Sequence, residues 1–348
     1  GRLADALSWM LRGRPCYSTL KSQITSLLAN DIQFFPMREL EHTAEFRDAD
    51  VVHCHNLHGA YFDLQKLAAY SRAKPLVWTL HDMWALTGHC AHSVDCDRWK
   101  TGCGDCPSLS TFPAIAWDNT RYLWRRKREI FAQCHLTVVV PSLWLKRLVA
   151  DSILGHLPCE LVHNGVDARV FRPRDRAATR SRLSLPVDKT IFVFVAHGGR
   201  RNTWKGFDHV ERAIGRFRSS SDIHFVCIGS DGGEASPLPC VTNVGYVDDE
   251  NLLSQYYAAS DALLFPSLAE NFPLVVLESM ACGTPVVGFD VGGVGEVLDH
   301  RRTGYLARRG DSDDFTDGVG WILGLSVREK RAMSERCRKV IEDDFTLE

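Results

Sequence analysis

Three groups of residues in the second half of the chain have the types and spacing of a ligand site. The first is Ala196-His197-Gly198-Gly199-Arg200-Arg201-Asn202-Thr203-Trp204-Lys205-Gly206. Glycines such as Gly199 let backbone approach a ligand closely. Arg200 offers a planar fork and Lys205 a point charge, so together they can clamp a diphosphate from two directions. A solvated basic loop is the plain alternative. The second group is residues 265–287, which read as strand, loop, helix, glycine stop and strand. Glu270 lies in the loop, and Asn271, Phe272, Pro273 and Leu274 lead into the helix. A helix start presents backbone N–H groups and a positive dipole end, which suits a phosphate. Glu278 sits about one turn in, on an otherwise apolar helix. A carboxylate there is costly unless something bonds to it. Ribose hydroxyls are a natural partner; a local cap or pair is the alternative. The third group is Asn243 to Asp249, a strand end feeding a helix, where backbone near Tyr246 and Val247 can read a nucleobase edge or make an ordinary turn.

The first half carries a different inventory. Val77-Trp78-Thr79-Leu80-His81-Asp82-Met83-Trp84 puts His81 and Asp82 at a strand end, as does His53-Cys54-His55-Asn56-Leu57-His58 for its three histidines. The latter are read as lining an acceptor side rather than as metal ligands. Cys90, Cys96, Cys103 and Cys106 fall within 17 residues and end in C-x2-C. That is compatible with a structural zinc site, with His89 and His92 as spare ligands, or with a compact loop of buried thiols or disulfides.

The elements that must position these residues follow from the apolar rhythm. Short apolar runs at Asp50–Cys54, Pro75–Leu80, His135–Val140 and Cys159–His163 read as strands, and Tyr61–Tyr70 and Asn119–Phe131 as helices. The second half repeats the pattern: strands at Ile191–Ala196, Ile223–Ile228, Ala262–Phe265 and Pro285–Phe289, helices at Phe207–Phe217, Asn251–Ala259 and Leu274–Cys282. Alternating strands and helices mean parallel sheets with crossover helices, and nearly continuous apolar strands mean sheets covered on both faces. In such sheets ligands bind beyond the carboxyl ends of the strands. Arg169–Asp188, charged and carrying Pro173 and Pro186, reads as a linker between two α/β domains.

Composition narrows the function. A net charge of −2 over 348 residues argues against a nucleic-acid binder driven by backbone charge. Without a stretch of about 18 apolar residues or a signal-peptide core, a cytoplasmic chain is expected. Arg121, Arg125, Arg126, Lys127 and Arg128 form a solvated helix face or a peripheral contact with the inner face of a membrane. The remaining cysteines read as small buried hydrophobes.

Residues 265–287 resemble the E-x7-E signature of retaining GT-B glycosyltransferases of family 4, with Glu270 and Glu278 as its two glutamates. Gly199-Arg200 and Lys205-Gly206 resemble that family's phosphate-binding Arg and Lys. Asn164-Gly165-Val166-Asp167 resembles its N-G-V/I-D turn between domains. Thr79 to Trp84 matches a subgroup that also has a Cys-rich insert. The resemblance runs from about residue 50 to 325 and implies two Rossmann-like domains facing across a cleft, 1–163 on the acceptor side and 164–348 holding the donor. It implies a UDP- or GDP-sugar donor, a glycan or lipid-linked acceptor in polysaccharide or glycoconjugate biosynthesis, and retention at the anomeric carbon. In the family the first glutamate touches the donor sugar and the second holds the ribose, and a histidine at the position of His81 contacts the sugar. No catalytic metal is expected, because the second half has no D-x-D at a strand end. Asp248-Asp249 and Asp313-Asp314 lie where helices start and read as caps. Two departures stand out. Nothing before Asp50 matches the strand and Gly-rich loop with which family members usually begin, so the first domain is expected to lack them. Trp204 precedes Lys205 where the family often has Arg. The alternatives are an epimerase or phosphorylase on the same fold, or a non-catalytic nucleotide-sugar-binding protein. The first would need a second acidic pair, and the intact Arg200, Lys205, Glu270 and Glu278 set disfavours the last. A dehydrogenase is disfavoured because no G-x-G-x-x-G follows a strand.

Overall fold

A computed structural model describes residues 27–33, 40–59, 61–196, 202–229, 236 and 238–347. The chain divides into two compact units, Gly1–Val162 and His163–Glu348. The boundary lies one residue before the one expected from sequence.

The first unit contains a short helix, α1 (Ala44–Asp48), capped by Thr43. Among the described residues its sheet has four parallel strands in chain order: β1 (Val52–His55), β2 (Leu76–Thr79), β3 (Thr137–Val140) and β4 (Cys159–Leu161). Parallel neighbours require crossovers. Helix α2 (Lys66–Ala73) makes the first, α3 (Thr120–Phe131) precedes β3, and α4 (Leu143–Ala150) joins β3 to β4. Helix α3 buries Leu123, Trp124, Lys127, Ile130 and Phe131, one face at helical spacing. The core gathers Trp78, Trp84, Trp99 and Phe131. The register pairs His55 with Thr79, so the tips of β1 and β2 lie level.

The second unit is a six-stranded parallel sheet in the order β10-β9-β8-β5-β6-β7. The strands are β5 (Thr190–Val195), β6 (Ile223–Ile228), β7 (Val241–Val244), β8 (Ala262–Phe265), β9 (Val286–Phe289) and β10 (Gly304–Ala307). From β5 the chain winds outward through β6 and β7. It then returns to β8, on the other side of β5, and winds outward again. Strands β6, β8 and β9 are buried along their whole length, which explains their mostly apolar sequences; the one polar side chain, His224 in β6, bonds to Thr242 Oγ1. The helices are α5 (Arg176–Arg182), α6 (Phe207–Phe217), α7 (Glu250–Ala259), α8 (Leu274–Ala281), α9 (Val294–Val297), α10 (Ser312–Gly324) and α11 (Val327–Asp344).

Several expectations change. The helix expected at Tyr61–Tyr70 begins at Lys66, because Leu64 N–H is bonded to Ile32 C=O and Gln65 N–H to Asp63 Oδ1. The expected linker contains α5, started by Asp175, whose side chain accepts from Ala178 N–H at 2.7 Å. Arg180 on α5 is buried, and its guanidinium donates to the carbonyls of Ala259, Val187 and Lys189 and to Asp261. Its charge therefore marks a built contact, not a solvated segment. Asp249 does cap α7, but the cap of α10 is Asp311; Asp313 and Asp314 lie in that helix's first turn, and both donate their N–H groups to Asp311 Oδ1. Of α10 the sequence shows only the start; helices α4 and α11 and strand β10 are not foreseen. Among the described residues no helix is long and apolar enough to cross a membrane.

Candidate active site

In the second unit, β5 has β6 on one side and β8 on the other, so the strand order reverses between β5 and β8. Crevices of open parallel sheets lie at such a switch point, beyond the carboxyl ends of the strands. The loops leaving β5 and β8 meet there. Leu268 N–H donates to Trp204 C=O at 2.9 Å. Gly206 has φ +68°, and a side chain on it would collide with the Pro266 carbonyl oxygen. On the other flank Gly293 N–H donates to Asn271 C=O at 2.7 Å, and Gly292, at φ +56°, lies too close to the Glu270 carbonyl for any Cβ. Backbone contact therefore fixes three loops against one another.

This frame brings Lys205 Nζ to 2.6 Å from Glu270 Oε1, with the side chains 31% and 14% exposed. Expected to hold different parts of a ligand, these two residues are here bonded to each other. Gly199 and Arg200 lie outside the described residues. Glu278, one helix face along α8, takes a hydrogen bond from Tyr257 Oη at 3.0 Å. Burial raises its carboxyl to about 6, against the opposing effect of the tyrosine bond. Tyr257 is fully buried on α7, and the sequence analysis missed it. The available signal was a tyrosine within an apolar helix run, since a buried phenol needs a partner. Among the other expected donor residues, Phe272 is a core side chain: its ring packs on His163 at 4.9 Å and Phe345 at 5.7 Å, so only its backbone can serve a ligand. Leu274 and Tyr246 are exposed, Asn271 is half-buried, Pro273 occupies the N-cap position of α8 without a side-chain bond, and Val247 packs against the core.

The first unit carries its own cluster at the tips of β1 and β2. His53 Nε2 lies 2.8 Å from Thr79 Oγ1, His55 Nδ1 lies 2.9 Å from His81 Nε2, and His58 Nε2 lies 2.9 Å from Asp82 Oδ2. The sequence placed these histidines at strand ends but not in pairs. Just past them the chain is tied down by Lys127, which the sequence analysis placed on a basic surface. Lys127 is completely buried. Its Nζ donates to Trp84 C=O at 2.6 Å and Thr87 C=O at 3.1 Å and sits 3.6 Å from the Trp84 ring centre. Burial lowers its ammonium to about 8, with nearby Asp31 opposing. Trp84 Nε1 in turn donates to buried Asp31. Neither Lys127 nor Asp31 was legible, because their partners lie some forty to fifty residues away in sequence.

Cys90, Cys96, Cys103 and Cys106 line one small cavity of about 20 Å³ together with His89. His89 Nε2 is 3.5 Å from Cys106 Sγ, and Cys103 Sγ accepts from Gly88 N–H at 3.2 Å. Among the described residues no three His, Cys, Asp or Glu side chains form a set that could hold a metal. The thiols share a cavity without converging on a point.

Two α/β units with parallel sheets of this kind form the fold of GT-B glycosyltransferases. Sucrose-phosphate synthase of Thermosynechococcus elongatus superposes with a TM-score of 0.63 at 18% identity, over 90% of this chain and 78% of that one. Anabaena HepE in complex with UDP does so at 0.64 and 17%, over 87% and 76%. More particularly, residues 24–170 match the domain described as Glycosyltransferase Family 4 and residues 189–324 that described as Glycosyl transferases group 1. The chain carries both domains. Similar curated proteins include the colanic acid biosynthesis glycosyl transferase WcaC of Escherichia coli, 29% identical over 71% of this chain and 62% of that protein. Another is the D-inositol 3-phosphate glycosyltransferase of Mycobacterium bovis, 34% identical over 74% and 53%. The chain thus spans less than two thirds of the length of these relatives.

Proposed function

We propose that this chain moves a sugar from a nucleotide-sugar donor, a UDP- or GDP-sugar, to a glycan or lipid-linked acceptor, with retention at the anomeric carbon. The observation that carries the reading is the Lys205–Glu270 pair at 2.6 Å, set at the switch point of the second unit's sheet. An arriving donor separates the pair: Lys205, with Arg200, turns to the diphosphate and Glu270 to the sugar. Glu278 takes the ribose hydroxyls, and backbone near Tyr246 and Val247 meets the base. The leaving diphosphate gathers negative charge as the sugar departs. Lys205, Arg200 and the start of α8 stabilise it there, so the step needs no divalent ion. The acceptor attacks from the same face, the departing phosphate takes its proton, and Glu270 and His81 position the sugar. The names of the relatives support glycan or inositol-phosphate acceptors, and the UDP and UDP-glucose complexes of HepE support a nucleotide-sugar donor. The chain acts in the cytoplasm in this reading, with exposed Arg121, Arg125 and Arg128 available for a salt-sensitive membrane contact. The arrangement of the cysteines does not favour the expected structural zinc; folded protein carrying about one zinc per chain on elemental analysis would restore it.

A thermal-shift panel of UDP-, GDP- and ADP-sugars tests donor binding, because a ligand that binds only the native state stabilises it by mass action. Product NMR in chelator-treated buffer then tests the step. One nucleotide series should raise the transition and yield a retained anomer. An inverted product, or activity lost in EDTA and restored by Mn²⁺ with the fold intact, overturns the mechanism.

A further inference from the structure

The tips of β1 and β2 are laced by three side-chain contacts in step along the strands: His53 to Thr79, His55 to His81 and His58 to Asp82. The middle contact has a chemical consequence that the outer two lack. It joins two imidazoles, Nδ1 of His55 to Nε2 of His81, at 2.9 Å with ring centres 5.2 Å apart and planes 24° from parallel. A nitrogen pair at this distance shares one proton, so one ring donates and the other accepts. We propose that His55 is the positioning residue that sets the ring orientation and tautomer of His81. The inference rests on the reading that His81 meets the donor sugar.

If both rings are neutral, each carries one N–H. When His55 accepts at Nδ1, His81 must carry its proton on Nε2; when His55 donates, His81 must carry it on Nδ1. The state of one ring dictates the state of the other, and a ring that contacts a sugar hydroxyl must present a defined donor or acceptor. The surroundings favour the neutral pair. Both rings have one side open to solvent, yet partial desolvation holds each below the ordinary imidazole value, and nearby His53 pushes each the same way. Asp82 acts in the opposite sense on His81. That carboxylate, however, is engaged by His58 at Oδ2 and by Trp84 N–H at Oδ1. His55 itself is held on two sides. The His53 ring lies 4.2 Å from its own, and Tyr61 Oη donates to its carbonyl at 3.1 Å. It ends β1 in register with Thr79, two residues before His81. A ring fixed at a strand end is a firm support for a ring on the loop beyond the neighbouring strand.

Two readouts test this separately from the transfer reaction. The first is the ring ¹⁵N spectrum of His81 in the protein without substrate, at neutral pH. One tautomer is expected in the wild type, two in exchange in His55→Ala, and one again in His55→Asn, whose amide can replace Nδ1. An unchanged His81 spectrum in His55→Ala overturns the proposal whether or not the chain is a transferase. The second is kinetic, with whichever donor the protein accepts. His55→Ala should lower kcat by roughly tenfold to a hundredfold through misplacement of the reacting groups. KM for the donor should stay within about twofold of the wild type, because the ring shapes the step more than the ground-state complex. His55→Asn should recover most of the loss. Full kcat in His55→Ala, despite a disturbed tautomer, also overturns it. If the wild type itself transfers no sugar, the proposed function fails, and the spectrum alone decides the role of His55.

Discussion

At the residue scale, Glu278 gives the clearest electrostatic prediction. Its folded carboxyl titrates near 6, above the ordinary 4.5. The sign follows from that elevation. The contribution to stability is fully present below about 4.5 and is lost as pH rises through 6, so an ionised Glu278 is a cost to the folded protein at neutral pH. Ribose hydroxyls donating to the carboxylate would stabilise its charged form and lower the value again. Nucleotide-sugar affinity should therefore weaken as pH falls from 7.5 to 5.5, and in Glu278→Gln it should be weaker throughout and flat with pH. Loss of one charge-assisted bond corresponds to about 1.5–3 kcal/mol, or roughly ten- to a hundredfold in affinity. Calorimetry with a nucleotide sugar checks this without interference, because its diphosphate is a diester and does not titrate in that range. A flat wild-type profile would remove Glu278 from the ribose. The position of this residue was legible because a carboxylate on an apolar helix must have a partner. Tyr257 was not, since only the packing of α7 against α8 shows where its hydroxyl ends. Lys127 was misread for a related reason. Composition alone assigns a run of basic residues to a surface, and only the helical face buried against Trp84 shows that one member points inward.

At the scale of elements, strands were easier to read than helices. Burial on both faces writes itself into β8 as an unbroken apolar run and into β6 as one broken only by His224, and the limits of both agree with those expected. Helix α5 shows the opposite case, because its contacts are polar. Arg180 reads as a solvent residue until Asp261, eighty-one positions later, is seen beside it at 2.8 Å. Asp261 also accepts from Arg176 and from Ile191 N–H, and so ties α5 to the entry of β5 and β8. The two arginines are not equivalent. Arg180 is 6% exposed and Arg176 39%. Asp261→Ala should destabilise the second unit by about 3–5 kcal/mol, because it leaves the buried Arg180 guanidinium without its counter-charge. Arg176→Ala should cost less than about 1 kcal/mol, as expected for a partly exposed pair. Urea unfolding of both variants measures the contrast. Equal, small effects would mean that the carbonyls of Ala259, Val187 and Lys189 suffice to hold Arg180 in place.

At the scale of the whole molecule, each unit buries its own core, and cysteine is part of that packing in both. Cys54 and Cys134 belong to the first unit and Cys282 to the second. Burial raises the first two thiols to about 11 and the third to about 12, from an ordinary 9.0. None of the three lies in the cysteine loop. A thiol whose folded value exceeds its unfolded one contributes stability that is complete below about 9 and disappears as pH rises through 11 to 12. Lys127 works in the opposite direction. Its folded value of about 8 lies below the ordinary 10.5, so the folded protein holds that charge at a cost which is relieved between those two pH values. The lysine acts first, and stability should hold or rise slightly between pH 8 and 9. Above 9 the three thiols, each displaced about as far as the lysine or nearly so, outweigh it, and stability should fall steadily toward pH 11. Chemical unfolding under reducing conditions across pH 7–11 tests the balance. Replacing Cys54, Cys134 and Cys282 together with alanine should lower stability at pH 7, because packing is lost, and should make the alkaline decline shallower, with the thiols of Cys90 and Cys103, raised to about 11 and about 12, keeping part of it. Lys127→Met should remove the small gain between pH 8 and 9 while keeping the decline. A wild-type curve that is level to pH 11 would mean that these thiols ionise as readily in the folded chain as in the unfolded one, and that their burial carries no electrostatic consequence.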